Sequence, residues 1–395
     1  MRLHGRLKTI VCAALAALAL LSSGCQSARE LGDLVIVMGI GMDGDREEPG
    51  NIKLTAQIVL PEKISSSQDG GASSSGSEGP YYNLGSSEKN TFEAVRGYTH
   101  MVSGKLYIAH TQVFVIGSEM AREGIAPYLD FFTRAKETRP TAKIVISETT
   151  ASEMLGVKPQ KEMLPAIHIS QLVEGQMVNS QSKEITLLDY VKAMQSTTAS
   201  LIAPILRIEE KEGKQVLSVS GMAVFKEDKM VGELSGDETR GVLWVMGEIR
   251  SAVINVEIAG GIASFDVLNA KSSVSPTVSG GKVAVKIDVA ASVKLAEQTC
   301  EENLATQDRI KELQALAGEA IRSEILLAYQ KAASLKADVF GFGEMIHHRD
   351  KASWREIEPD WDRLFPEITL DVNAEVTIKS VGSLERPAWD KTDEE

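Results

Sequence analysis

"LVIVMGIGMDGD", Leu34 to Asp45, is the stretch on which the fold turns. An apolar run leads into Gly39-x-Gly41-x-x-Gly44, the glycine spacing of a dinucleotide-binding turn. Such a turn must open a helix, because the pyrophosphate rests on the helix N-terminus. Here Asp45, Arg46, Glu47, Glu48, Pro49, Gly50 and Asn51 follow, turn residues without a helical period. Next comes "NIKLTAQIVLPEK", which alternates and is rich in β-branched residues. The glycines are therefore expected to connect one strand to another, with Gly41 supplying a positive φ, and no nucleotide site is expected.

The 395 residues are 43% apolar and 25% charged, globular composition with length for two or three domains. Aromatics are only 5%, so the core must be built from Val, Ile, Leu and Ala. The first 24 residues stand apart. Arg2, Arg6 and Lys8 precede an unbroken apolar run from Ile10 to Leu21. That run is short of the roughly 20 residues of a membrane span and fits a signal peptide. Ser22, Ser23 and Gly24 then lead to Cys25, the pattern of a bacterial lipobox. Cleavage between Gly24 and Cys25 would leave a diacylglycerol-bearing cysteine as the new N-terminus. Losing Arg2, Arg6 and Lys8 takes the formal charge from −13 to −16. A body this acidic repels phosphate backbones, so no nucleic-acid partner is expected. It has no polybasic run, so the lipid must hold it to the membrane. With Cys12 removed and Cys25 lipidated, only Cys300 remains, and packing alone must hold the exported fold.

Residues 25–200 read as an α/β domain in which strands and helices alternate. A Ser/Gly stretch at 65–80 interrupts it and is expected to be a disordered loop. Helices are expected from Asn90 to Val102, after Ser118, after Thr150 and over Thr186–Met194. Residues 201–262 read as a small β-rich middle domain, with "GVLWVMGEI" among its strands. In the C-terminal domain, 263–382, Val283, Val285, Ile287, Val289, Val293 and Leu295 share one strand face. A long amphipathic helix is expected over 301–337, with Leu313, Leu316, Ala317, Ala320, Ile321, Ile325 and Ala328 on its apolar stripe. A last strand alternates Leu370, Val372, Ala374, Val376 and Ile378. The acidic residues 383–395 read as a tail.

Candidate chemistry is sparse. Glu344 and His347, with His348 beside them, have helical ligand spacing, but no further His lies near in sequence, so no metal site is expected. There is no Gly-x-Ser-x-Gly, no His-Glu-x-x-His, no phosphate loop and no Cys-x-x-Cys. Asp338 and Asp360 read as cap or turn residues, Trp354 and Trp361 as core. Cys300 is expected to open the long helix, where a thiol pKa can fall.

Three segments together resemble one family: Cys25 with "SARELGDLVIVMGIGMD", then "TFEAVRGYTHMVSGKLYIAHTQVFVIG" with the residues that follow to Ser147, then "KADVFGFGEMIHH" through Gly382. They are similar to the spore germination lipoproteins, the C subunits of nutrient germinant receptors. The resemblance implies a mixed α+β and α/β fold of three domains, each a β-sheet with flanking helices. It implies a non-enzymatic protein without a cofactor, apart from the diacylglycerol on Cys25. It also implies anchorage to the outer face of the spore inner membrane, beside a multi-pass A subunit and a permease-like B subunit. Phe340 and Phe342, flanking glycines, are the candidate partner contacts. The departures are Ser22, where the lipobox has Leu, and the Ser/Gly insertion. The alternative class is a solute-binding lipoprotein, which would show a deep two-lobed cleft lined by aromatic and charged side chains.

Overall fold

The computed structural model describes residues 34–66, 79–196, 198 and 200–381. The signal segment, Gly24, Cys25, residues 67–78 of the Ser/Gly stretch and the tail lie outside the described residues. The elements in chain order are β1 (Leu34–Gly44), β2 (Ile52–Val59), α1 (Pro61–Ser66), β3 (Tyr81–Glu88), α2 (Thr91–Gly97), β4 (Lys105–Tyr107), β5 (Val113–Gly117), α3 (Ser118–Glu123), α4 (Ala126–Arg134), β6 (Lys143–Ser147), α5 (Ala151–Gly156), α6 (Pro165–Gly175), α7 (Leu187–Gln195), β7 (Ile202–Lys211), β8 (Lys214–Lys226) and β9 (Lys229–Leu234). Then follow α8 (Gly236–Met246), β10 (Val253–Ile258), β11 (Gly261–Ser279), β12 (Lys282–Gln298), α9 (Gln307–Leu335), α10 (Phe342–Arg349), α11 (Lys351–Ile357), α12 (Trp361–Leu364) and β13 (Thr369–Ser380).

The first sheet runs β3-β2-β1-β5-β6-β7-β8-β9, with β4 also on β1. β1 is antiparallel to β2 and parallel to β4 and β5. Side chains alternate across the sheet as the two-residue strand period requires. Val113, Val115 and Val145 pack on one face with Met154 and Leu155 of α5 and Ile169 of α6. Phe114, Ile116 and Ile144 pack on the other with Leu129 and Phe132 of α4.

The expected class, sheets with flanking helices, is what is found, but two sheets carry it. The segment expected as a middle domain has no sheet of its own. Its strand β7 pairs parallel to β6 through Ile146↔Ile205 and Ser147↔Leu206, so β7–β9 extend the first sheet. Its last strand, β10, begins the second sheet, β10-β11-β12-β13. Within the same segment, "GVLWVM" is not a strand but the end of α8. Ser235 accepts from the Glu238 N–H and Glu238 accepts from the Ser235 N–H, a capping box that starts the helix.

The glycines of the opening stretch lie inside β1, which runs on to Gly44; the turn is Asp45–Asn51. Neither Gly39 nor Gly41 takes a positive φ. They are needed because helices come close. A Cβ on Gly39 would lie 2.8 Å from the Ala166 Cβ, and one on Gly41 would lie 3.1 Å from the Ala151 Cβ. Gly39→Ala is therefore expected to cost about 1–3 kcal/mol by overpacking, and Gly41→Ala less. Urea denaturation of both variants checks this, and equal losses would count against it.

In the second sheet, Val283 to Val293 of β12 and Val372 and Val376 of β13 face inward as their alternation predicts. The helix above them, α9, buries Leu313, Ala317, Ile321, Ile325 and Ala328. It also takes one backbone donor of the edge strand: the Gln314 Oε1 accepts the Ile378 N–H at 3.1 Å. Cys300 is buried at the end of β12, ahead of the helix that begins at Gln307, so it does not open that helix.

Candidate functional site

Two regions collect polar or aromatic side chains. The first is a cleft of about 840 Å³ beyond the carboxyl ends of β1, β5 and β6. It lies where open α/β sheets bind ligands, at the strand from which the chain leaves in both directions. Several of its groups are committed to one another. The Asp43 carboxylate, buried beside Gly44, accepts the Ala151 N–H at 2.7 Å and the Ser152 N–H at 3.0 Å. It thus occupies the first turn of α5, where a dinucleotide fold would hold a phosphate. Burial holds Asp43 above the ordinary carboxylate value, against the pull of those two N–H groups. Thr150 and Glu153 complete a capping box on the same helix. Arg46 pairs with Glu119 at 3.2 Å, and Asp45 accepts from Ser87 and from the Glu47 N–H. No aromatic side chain lines the cleft.

The second region is the corner between α9 and β13. Phe340 and Phe342 stack at 5.0 Å with ring planes 9° apart. Tyr329, Phe365, Trp361 and Trp354 continue the cluster. The Tyr329 hydroxyl donates to the carbonyls of Phe365 at 2.8 Å and Ile368 at 3.0 Å. Phe340 is 2% exposed and Phe342 0%. Both are core residues, and neither presents the partner contact expected of it. The flanking glycines suggest an open loop, but Asp338 turns the chain inward. Its carboxylate accepts the N–H of Phe342 at 3.1 Å and of Gly343 at 2.8 Å, starting α10 as the cap expected of it.

Burial pushes Asp338 up from 3.8 to about 6, and the N–H groups of Gly343 and Phe342 offset only part of this. With the folded value above the unfolded one, the protonated acid is the form the fold prefers. Its contribution to stability is therefore full below the unfolded value of 3.8 and is lost as pH rises through about 6. A carbon-13 titration should place the Asp338 midpoint near 6 and that of the exposed Asp350 below its ordinary 3.8. An Asp338 midpoint below 4 would show that the N–H groups outweigh burial.

Glu344 and His347 do not act as a ligand pair. Glu344 accepts from Ser196 at 2.6 Å and lies 3.1 Å from His348, while His347 stacks on Trp354. Among the described residues, no group of three or more His, Cys, Asp or Glu could hold a metal ion. His168 pairs with Glu162 at 2.6 Å, and no described hydroxyl or thiol bonds to its ring.

The contact that sequence reasoning missed joins α8 to α9. Arg240 Nε and Trp244 Nε1 each donate to Glu324 at 2.8 Å. A Cβ on Gly241 would collide with the Glu324 carbonyl, so the crossing depends on glycine. Only the fold brings these positions together across the intervening sheet strands.

The comparisons agree across both sheets. Residues 27–208 match the spore germination protein N-terminal domain. Residues 220–382 match the spore germination B3/GerAC-like C-terminal family. Spore germination protein KC of Bacillus subtilis (strain 168) is 27% identical, covering 92% of this chain and 93% of its own. Spore germination protein B3 of the same strain is 22% identical, covering 91% and 95%. The crystal structure of the GerBC protein superposes with a TM-score of 0.53 at 18% identity, covering 86% of this chain and 97% of that one. The fold is thus shared with a solved germination protein, and the chain belongs to the Ger(x)C family of spore germination proteins.

Proposed function

We propose that the chain is a non-enzymatic, lipid-anchored subunit of a spore nutrient germinant receptor, which supports assembly with a multi-pass A subunit and a permease-like B subunit. The observation that carries this reading is that germination-family likeness extends over both halves of the chain. The cleft is consistent with it, because its buried carboxylate and most of its caps and ion pairs are satisfied internally. The described lining has no aromatic side chain, which favours a scaffold over the alternative, a solute-binding lipoprotein, whose cleft would offer aromatic walls. Diacylglycerol on Cys25 would hold the chain at the outer face of the spore inner membrane. No described helix is long and apolar enough to cross a membrane. A tethered body meets its membrane partners at high effective concentration, so modest contacts suffice.

Cys25→Ala is expected to release the chain from membranes and to reduce its recovery with the A and B subunits. Fractionation after a high-salt wash tests this. A variant that stays with the lipid would refute the anchor, and one-to-one binding of a germinant nutrient by the isolated wild-type chain would refute the scaffold.

A further inference from the structure

The end of the first sheet where β1 begins has a charge unlike the rest of the molecule. Leu34 lies beside Lys105 in the β1–β4 ladder. Lys105 pairs with Glu137, which brings the 135–141 loop to the same end. The Leu188 N–H donates to the Pro140 carbonyl at 3.0 Å, adding the start of α7. Segments 101–105 and 134–141 together carry Lys105, Arg134, Lys136 and Arg139 against Glu137 alone. All five are exposed. Asp130, one turn back on α4, balances Arg134, and Asp189 beside Leu188 is balanced by Lys192, which still leaves a basic excess in a chain of formal charge −13. The opposite end is the cleft, where Asp43, Asp45, Glu47, Glu119, Glu148 and Glu153 outnumber Arg46, Lys53 and Arg122. No basic run exists in the sequence; the fold gathers these residues.

We infer that this basic end is a lipid-facing surface seated on anionic headgroups. The inference rests on the anchoring reading above and adds which face of the body meets the bilayer. Cys25 is nine residues from Leu34. That length spans at most about 30 Å when fully extended, so the start of β1 stays near the anchor. Anionic lipid attracts Lys and Arg within about a Debye length, some 8–10 Å, a range the tether readily allows. Met101, 46% exposed and four residues before Lys105, and Leu188, 45% exposed, border the basic set. They can enter the headgroup layer as the basic side chains bind above it. The acidic cleft then points away from the membrane.

The test uses the full chain in vesicles containing phosphatidylglycerol, with diacylglycerol on Cys25 verified by mass. An environment-sensitive label is placed at Leu188→Cys and, as control, at Val253→Cys on β10, which is 49% exposed. Brominated lipid is expected to quench the Leu188 label several-fold more than the Val253 label. Lys136→Glu with Arg139→Glu should remove the difference, by on the order of fivefold in the seated population for each charge. Equal quenching in a chain that floats with the vesicles overturns the inference while leaving the anchor standing. So does a Leu188 label that is shielded only when the A and B subunits are present, since the occupant is then protein. A chain that carries diacylglycerol on Cys25 yet fails to float overturns the anchor and this inference with it.

Discussion

Glu324→Ala is expected to destabilise the protein by about 3–5 kcal/mol, because it removes one partner of a buried ion pair. The side chains of Arg240 and Glu324 are 12% and 16% exposed. Truncation leaves the Arg240 guanidinium with only the Asp237 carboxylate on the surface side. It also leaves the indole N–H of Trp244, a residue 1% exposed, without the acceptor it has in the wild type. Glu324→Gln should cost less, since an amide oxygen can still accept from Trp244. Glu319→Ala, which breaks the exposed Arg322–Glu319 pair on the same helix, should change stability by no more than about 1 kcal/mol. Chemical denaturation followed by tryptophan fluorescence measures all three. Similar values for Glu324→Ala and Glu319→Ala would show that the buried pair contributes no more than a surface one. Because α8 follows the first sheet and α9 covers the second, the larger loss should also appear as separated transitions of the two halves.

Phe342→Ala is the second large effect, about 3–5 kcal/mol for a fully buried phenyl ring. The ring stacks on Phe340 and lies 6.5 Å from Phe365, so its loss opens a space walled by aromatic side chains. The neighbouring cap limits relaxation, because Asp338 fixes the N–H groups of Phe342 and Gly343. Melting the purified chain distinguishes this from a surface role. A variant that melts like wild type yet fails to assemble would place Phe342 at an interface and contradict its burial.

The strands and long helices were legible in the sequence because their periods are long and clean. Val283 to Leu295, Val372 with Val376, and Leu313, Ala317, Ile321, Ile325 and Ala328 of the stripe face the core as read, while Leu316 and Ala320 are half-buried at its margin. Sheet membership was not legible. β7 joins the first sheet through two register pairs with β6, a strand more than fifty residues earlier, and no local pattern encodes a parallel partner. α8 was misread because "GVLWV" is apolar on every side, as a helix buried all round must be. The Ser235–Glu238 capping-box spacing was the signal in the sequence that marks the helix start and was passed over. The glycines of β1 read as a strand connection with a positive φ; they lie inside the strand, and glycine is needed there because helix side chains come close. Phe340 and Phe342 read as candidate partner contacts because they flank glycines that allow close approach, and only the fold, with Asp338 buried, shows the chain turning inward.

A lipid tether would confine many copies of the chain to one plane, where unpaired strand edges meet repeatedly. An open row of N–H and C=O groups invites edge-to-edge zipping into aggregates. At β13 that invitation is narrowed: Gln314 takes the Ile378 N–H, and α9 packs against the strand. On the far side, β10 pairs only with Gly261–Asp266. The remaining length of β11 carries Lys271 and Pro276, a charge and a residue without an N–H, both of which discourage a foreign strand. Crowding at a membrane can then concentrate the protein for its specific partners with fewer groups of this sheet open to a foreign strand.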